Sequence, residues 1–83
     1  MARLRLFASA REAAGTGRDV VDGRTVAEVL AAAERRYGEG FTLVLATSRI
    51  WVNGEPAEAE AAVAETDEVA VLPPVSGGAG ARS

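Results

Sequence analysis

Arg3-Leu4-Arg5-Leu6-Phe7 alternates with a period of two. Leu4 and Leu6 therefore share one face, and Arg3, Arg5 and Phe7 the other. This predicts a half-buried strand. Residues 8–17 read as a long turn, with room for one helical turn between Ser9 and Ala14. Residues 18–22 predict a short second strand, closed by Asp22-Gly23. Thr25-Val26-Ala27-Glu28 is a capping box, in which Thr25 accepts from the third amide and Glu28 reaches back to the cap amide. Val26, Val29, Leu30, Ala33 and Tyr37 then recur at helical spacing. With Arg35 and Arg36 in the last turn and Gly38 as the cap, they predict a helix over 26–37. Residues 41–46 are apolar without a period and fit either a short helix or a strand. Arg49-Ile50-Trp51-Val52 predicts a strand, and Asn53-Gly54 a tight hairpin. Its return, Glu55-Pro56-Ala57, is held to a sheet edge by Pro56. After a loop or single helical turn, Glu68 to Leu72 forms the last strand.

Neither the helix nor the sheet can bury its apolar face alone, so one main helix covers a mixed sheet of four or five strands. The first and last strands are the most regular and are expected side by side, parallel, in the centre. That arrangement is an α+β roll of the β-grasp, ubiquitin-like type. The expected core is Leu4, Leu6, Val20, Val26, Val29, Leu30, Ile50, Val52, Val69 and Val71. Residues 1–75 are expected to form the domain, and residues 76–83 a flexible tail. Trp51 has the parity opposite to Ile50 and Val52. It packs beneath Phe41 or the tail base, or joins a partner surface.

The chain has 83 residues and no histidine, cysteine or lysine. That excludes disulfides, thiolate catalysis, Schiff-base chemistry and any cysteine-based metal site. No side chain titrates near neutrality unless its pKa is shifted. A formal net charge of −3 argues against nucleic acid as a partner. No apolar run approaches a membrane span. The N-terminus enters an alternating pattern rather than a signal peptide's apolar stretch, so the expected location is cytoplasmic.

The last strand runs into Leu72-Pro73-Pro74-Val75-Ser76-Gly77-Gly78. The prolines stop the ladder and hold the chain extended. The glycines, lacking Cβ, can thread an opening too narrow for other residues. Together with Leu6-Phe7-Ala8-Ser9-Ala10-Arg11-Glu12, Thr25 to Leu30, Val52-Asn53-Gly54 and Asp67-Glu68-Val69, this run resembles the MoaD branch of the MoaD/ThiS sulfur carriers. MoaD proteins are small subunits of molybdopterin synthase. The resemblance extends from about residue 3 to residue 78, and the terminal run is its most specific part.

The resemblance implies a non-catalytic carrier that binds no cofactor itself. An activating enzyme spends ATP to adenylate the terminal glycine carboxylate, and a sulfur donor converts it to a thiocarboxylate. The tail then delivers sulfur to a cyclic pyranopterin precursor in the large subunit. Gly78 is the reacting residue and Gly77 lets it pass. Phe7, Leu72, Pro73, Pro74, Val75 and Ser76 are the expected docking residues. One departure from the family pattern matters. Gly78 is followed by Ala79, so its carbonyl is an amide and cannot be adenylated as it stands. The expectation is that a protease removes residues 79–83. A carrier for thiamine or cysteine synthesis, or a β-grasp interaction module that transfers nothing, are the alternatives.

Overall fold

A computed structural model describes residues 1–74. The chain runs β1 (Ala2–Leu6), α1 (Ala8–Ala14), β2 (Arg18–Val21), α2 (Val26–Tyr37), α3 (Glu39–Leu45), β3 (Arg49–Val52), β4 (Glu55–Pro56) and β5 (Glu68–Leu72). The strands form one mixed sheet in the order β2-β1-β5-β3-β4. β1 and β5 are parallel neighbours, with Leu4 level with Val69 and Leu6 with Val71. The expected β-grasp arrangement is therefore present, with the first and last strands paired inside the sheet.

One face of the sheet carries the core. Leu4, Leu6, Val69 and Val71 meet Val26, Val29 and Ala33 of α2, Ala10 of α1 and Phe41 of α3, all buried. The helical layer is broader than one helix. Residues 8–14, read from sequence as part of a long turn with room for one helical turn, form a complete short helix that packs on α3. Residues 39–45 resolve the helix-or-strand ambiguity as helix. β2 corrects the expected core by one position. Val21, opposite Ala2, is buried, whereas Val20, opposite Arg3, is 47% exposed. Register, not hydrophobicity, decides between two adjacent valines. Leu30, Ile50 and Val52 pack at the margin of the core, only partly buried.

The α2 capping box forms with one change. Thr25 Oγ1 accepts from the Glu28 amide at 3.2 Å, but Glu28 accepts from the Arg24 amide at 2.8 Å, one residue before the cap. Gly23 lies against this helix start at φ +155°. A Cβ there would come within 2.6 Å of the Val29 backbone nitrogen and 2.7 Å of its Cγ2. Neither atom can retreat without moving α2. Gly23→Ala is expected to cost about 2 kcal/mol or more, in the range of mutations that force backbone strain. Urea unfolding measures it, and a loss under about 0.5 kcal/mol would contradict this packing.

Asn53 and Gly54 have φ of +52° and +85°, the paired positive values of a type I′ turn. Asn53 also fastens the hairpin to β5. Its Oδ1 accepts from the Glu68 amide at 3.0 Å and its Nδ2 donates to Asp67 at 2.9 Å. The Ala64 amide and then Asn53 hold the Asp67 carboxyl below the ordinary carboxylate value.

The free edge of β2 is closed by side chains. Thr16 Oγ1 donates to the Arg18 carbonyl at 2.9 Å and accepts from its amide at 3.3 Å. Asp19 Oδ1 accepts from the Val20 amide at 2.7 Å, and Arg36 donates to the Val20 carbonyl at 3.3 Å. An edge so occupied offers few free groups to an added strand. Asp19 also accepts from Tyr37 and, at 2.8 Å, from Arg36, which ties β2 to the end of α2. Burial alone would raise the Asp19 carboxyl. Tyr37, Arg36 and the Val20 amide together outweigh it and hold it below its ordinary value. Burial, then the bond to Asp19, pushes the Tyr37 hydroxyl up to about 12.

Candidate docking face and tail base

Helices occupy one face of the sheet. The other face has no covering element among the described residues. Strand alternation places on it Arg3 and Arg5 from β1, Arg18 and Val20 from β2, Glu68, Ala70 and Leu72 from β5, and Arg49 and Trp51 from β3. The sequence thus puts a largely polar stripe with a few large apolar residues where nothing in the domain buries them.

Phe7 sits at one end of this face. Its amide donates to the Val71 carbonyl at 3.3 Å, and its own carbonyl accepts from Ala10 and Arg11 as α1 begins. The turn into α1 uses Ala8 at φ +50°, a conformation unfavourable for a residue with a Cβ. The ring stays 36% exposed. The Arg5 guanidinium lies 5.1 Å from its centroid, a cation–π contact. In the β1–β5 register Leu72 follows Val71 as Phe7 follows Leu6, and Leu72 faces Arg49 across the antiparallel pair. Phe7, Leu72 and Arg49 thus form the last row of the face, where β5 ends.

Of the expected docking residues, Phe7 and Pro74 are exposed and Leu72 is half-buried. Pro73 is buried and anchors the exit of the chain from the sheet more than it offers surface. Val75, Ser76, Gly77 and Gly78 lie outside the described residues. Trp51 is half-buried on the open face, opposite Ala70 and Pro56. It is therefore on the side of the sheet away from Phe41, which excludes the expectation that it packs beneath that residue. The sequence put Arg3 and Arg5 on the face of Phe7 but did not show that Arg18 joins them.

No described group of histidine, cysteine or carboxylate side chains could hold a metal ion. No described helix is long and apolar enough to cross a membrane. What the site offers is a small open sheet face beside the point where the chain leaves β5. The ThiS family model matches residues 4–78. The chain belongs to the ThiS family, the ubiquitin-like sulfur-carrier group that includes MoaD-type proteins.

No curated protein sequence gives a significant match. Among solved structures, the chain is similar to the crystal structure of SAMP1 from Haloferax volcanii, at 34% identity and a TM-score of 0.76, over 90% of this chain and 96% of that one. It is similar to the small archaeal modifier protein 1 from Methanosarcina acetivorans, at 29% identity and a TM-score of 0.83, over 92% and 94% of the two chains. It also resembles a putative molybdopterin converting factor, subunit 1, from Pyrococcus furiosus, at 25% identity and a TM-score of 0.74, over 89% and 97%.

Proposed function

We propose that this chain is the sulfur-carrying small subunit of a molybdopterin synthase, working in the cytoplasm. The observation that carries the reading is the run from Leu72 to Gly78, continuing from a strand inside the sheet beside an uncovered face. The similarity to a putative molybdopterin converting factor subunit supports it.

The chemistry follows from what the chain has and lacks. A protease first cleaves after Gly78 and frees its carboxylate. A carboxylate is a poor electrophile, so an activating enzyme transfers the adenylyl group of ATP to it, with pyrophosphate leaving. A sulfur donor then displaces AMP and leaves a thiocarboxylate. Inside the large subunit that sulfur passes to a cyclic pyranopterin precursor. Lacking histidine, cysteine and lysine, the carrier leaves acid–base work to its partners. Gly77 gives the tail the width of bare backbone.

The likeness to two small archaeal modifier proteins favours a second reading, a protein modifier. The same Gly78 acyl adenylate would then pass its acyl group to an amine of a target protein. The two readings share activation and part at the product: a thiocarboxylate for the carrier, an amide adduct for the modifier.

Docking on the large subunit is assigned to Phe7, Leu72 and Pro74, with Val75 and Ser76 following in the tail. Phe7→Ala should weaken that complex by about 1 kcal/mol or more, as loss of an apolar anchor does. Isothermal titration of folded F7A against the large subunit measures it. Parental affinity in the variant would remove Phe7 from the interface.

A further inference from the structure

We propose that the open sheet face binds an acidic protein surface, with partner carboxylates seated between Arg5, Arg11 and Arg18 beside the Phe7 ring. This rests on the docking role assigned above and adds the chemistry of the partner. The chain as a whole is acidic, at a formal net charge of −3. Its charge is nonetheless divided by face. Arg3, Arg5, Arg18 and Arg49 project from the uncovered side of β1, β2 and β3, and Glu68 is the one carboxylate that strand parity puts with them.

At one corner of the sheet two of these arginines border a depression that Glu68 does not line. Arg5, Phe7, Arg11, Thr16 and Arg18 line it, and no carboxylate does among the described residues. A Cβ at Gly17 would lie 3.4 Å from Arg11 Cδ and 3.5 Å from its Nε, so the Arg11 side chain passes across the bare backbone of the loop. Thr16 is already engaged with the Arg18 backbone and leaves the guanidiniums as the available donors. Among the described residues Arg5 is the only one of the three with an ionic partner, Glu68 at a loose 3.8 Å with both side chains over a third exposed. Such a pair contributes little and gives way readily to a better acceptor. Guanidiniums hold carboxylates in a planar fork, and the Phe7 ring supplies apolar area beside them.

Four other carboxylates lie elsewhere. Glu55, Glu58 and Glu60 group with Val52 and Ala61, and Glu65 lies near Met1 and Asp22. These glutamates lie away from the tail base, whereas the arginines orient a negatively charged partner onto it. A protein is favoured over nucleic acid because apolar Phe7, Val20, Trp51 and Leu72 are interspersed with the charges.

The test is an NMR titration of the full 83-residue chain with a short synthetic peptide alternating glutamate and leucine. Amide shifts should concentrate at Arg5, Phe7, Arg11 and Arg18, and should fade in 0.5 M salt, as screening requires of exposed charges (a Debye length under about 8 Å). R11E/R18E should bind at least tenfold more weakly, with an otherwise parental spectrum showing that it folds. E58K/E60K should bind as the parent does. Failure of R11E/R18E to fold would move the same comparison to R18Q, for which a several-fold loss is expected. Shifts mapping elsewhere, equal binding of a lysine–leucine peptide, or unchanged affinity in the arginine variants would overturn the proposal. Tighter binding of a single-stranded oligonucleotide at the same amides would overturn the choice of a protein partner. None of these results depends on Gly78 chemistry, so failure of the carrier reading would leave them standing.

Discussion

Phe41→Ala should cost about 3–5 kcal/mol, the range for truncating a buried aromatic ring. Phe41 is fully buried and meets Tyr37 edge-on, with centroids 5.2 Å apart and planes at 61°. It lies on α3, which packs on both α1 and α2. Its ring therefore joins three short elements that have little stability of their own. Alanine would leave a cavity beneath helices too short to collapse independently. For a domain whose total stability is of the order of 5–15 kcal/mol, that is a large share. Urea unfolding of the two proteins, compared at equal m-value, provides the measurement. A loss below about 1 kcal/mol would show that α3 is not held by Phe41.

That residue also marks where the sequence stops being legible. Local rules sufficed wherever one period ran without interruption. The alternation of residues 3–7, the capped helix at 26–37 and the Asn53-Gly54 turn all formed as expected. In residues 41–46 almost every side chain is apolar, and such a segment has no period to separate helix from strand. The tertiary site for Phe41 decides it. α1 was hidden for the opposite reason, because a run of small residues ending in Gly15 has too little apolar area to announce a face. Val20 and Val21 show a third limit. Which of two adjacent valines turns inward depends on pairing with β1, a non-local fact.

The docking face was legible in part. Phe7 stood out as an aromatic at the end of a strand, and the Leu72 to Gly78 run identified the tail. The basic corner did not. Arg5, Arg11 and Arg18 are separated in sequence, and the β1–β2 pairing and the start of α1 directly after β1 bring them to one depression.

The largest functional effect is expected from a single peptide bond. In the full sequence Gly78 is bonded to Ala79, and an amide carbonyl has no oxygen nucleophile to attack ATP. In the proposed function, cleavage after Gly78 would turn an inert carbonyl into a substrate for adenylation. The difference between the two forms should be all or none rather than graded. A bulky replacement at Gly77 should slow transfer without changing unfolding, because it obstructs a partner's channel and not the core.

The most direct measurement is intact mass. The full chain and a form ending at Gly78 are each incubated with a MoaD-activating enzyme, ATP and a sulfur donor, after that enzyme has been shown competent on another carrier. The form ending at Gly78 should gain about 16 Da, the exchange of one oxygen for sulfur in the acyl chemistry of an activated carboxylate, while the full chain stays unchanged. A thiocarboxylate on Ser83 of the full chain, or no gain by either form, would contradict the account.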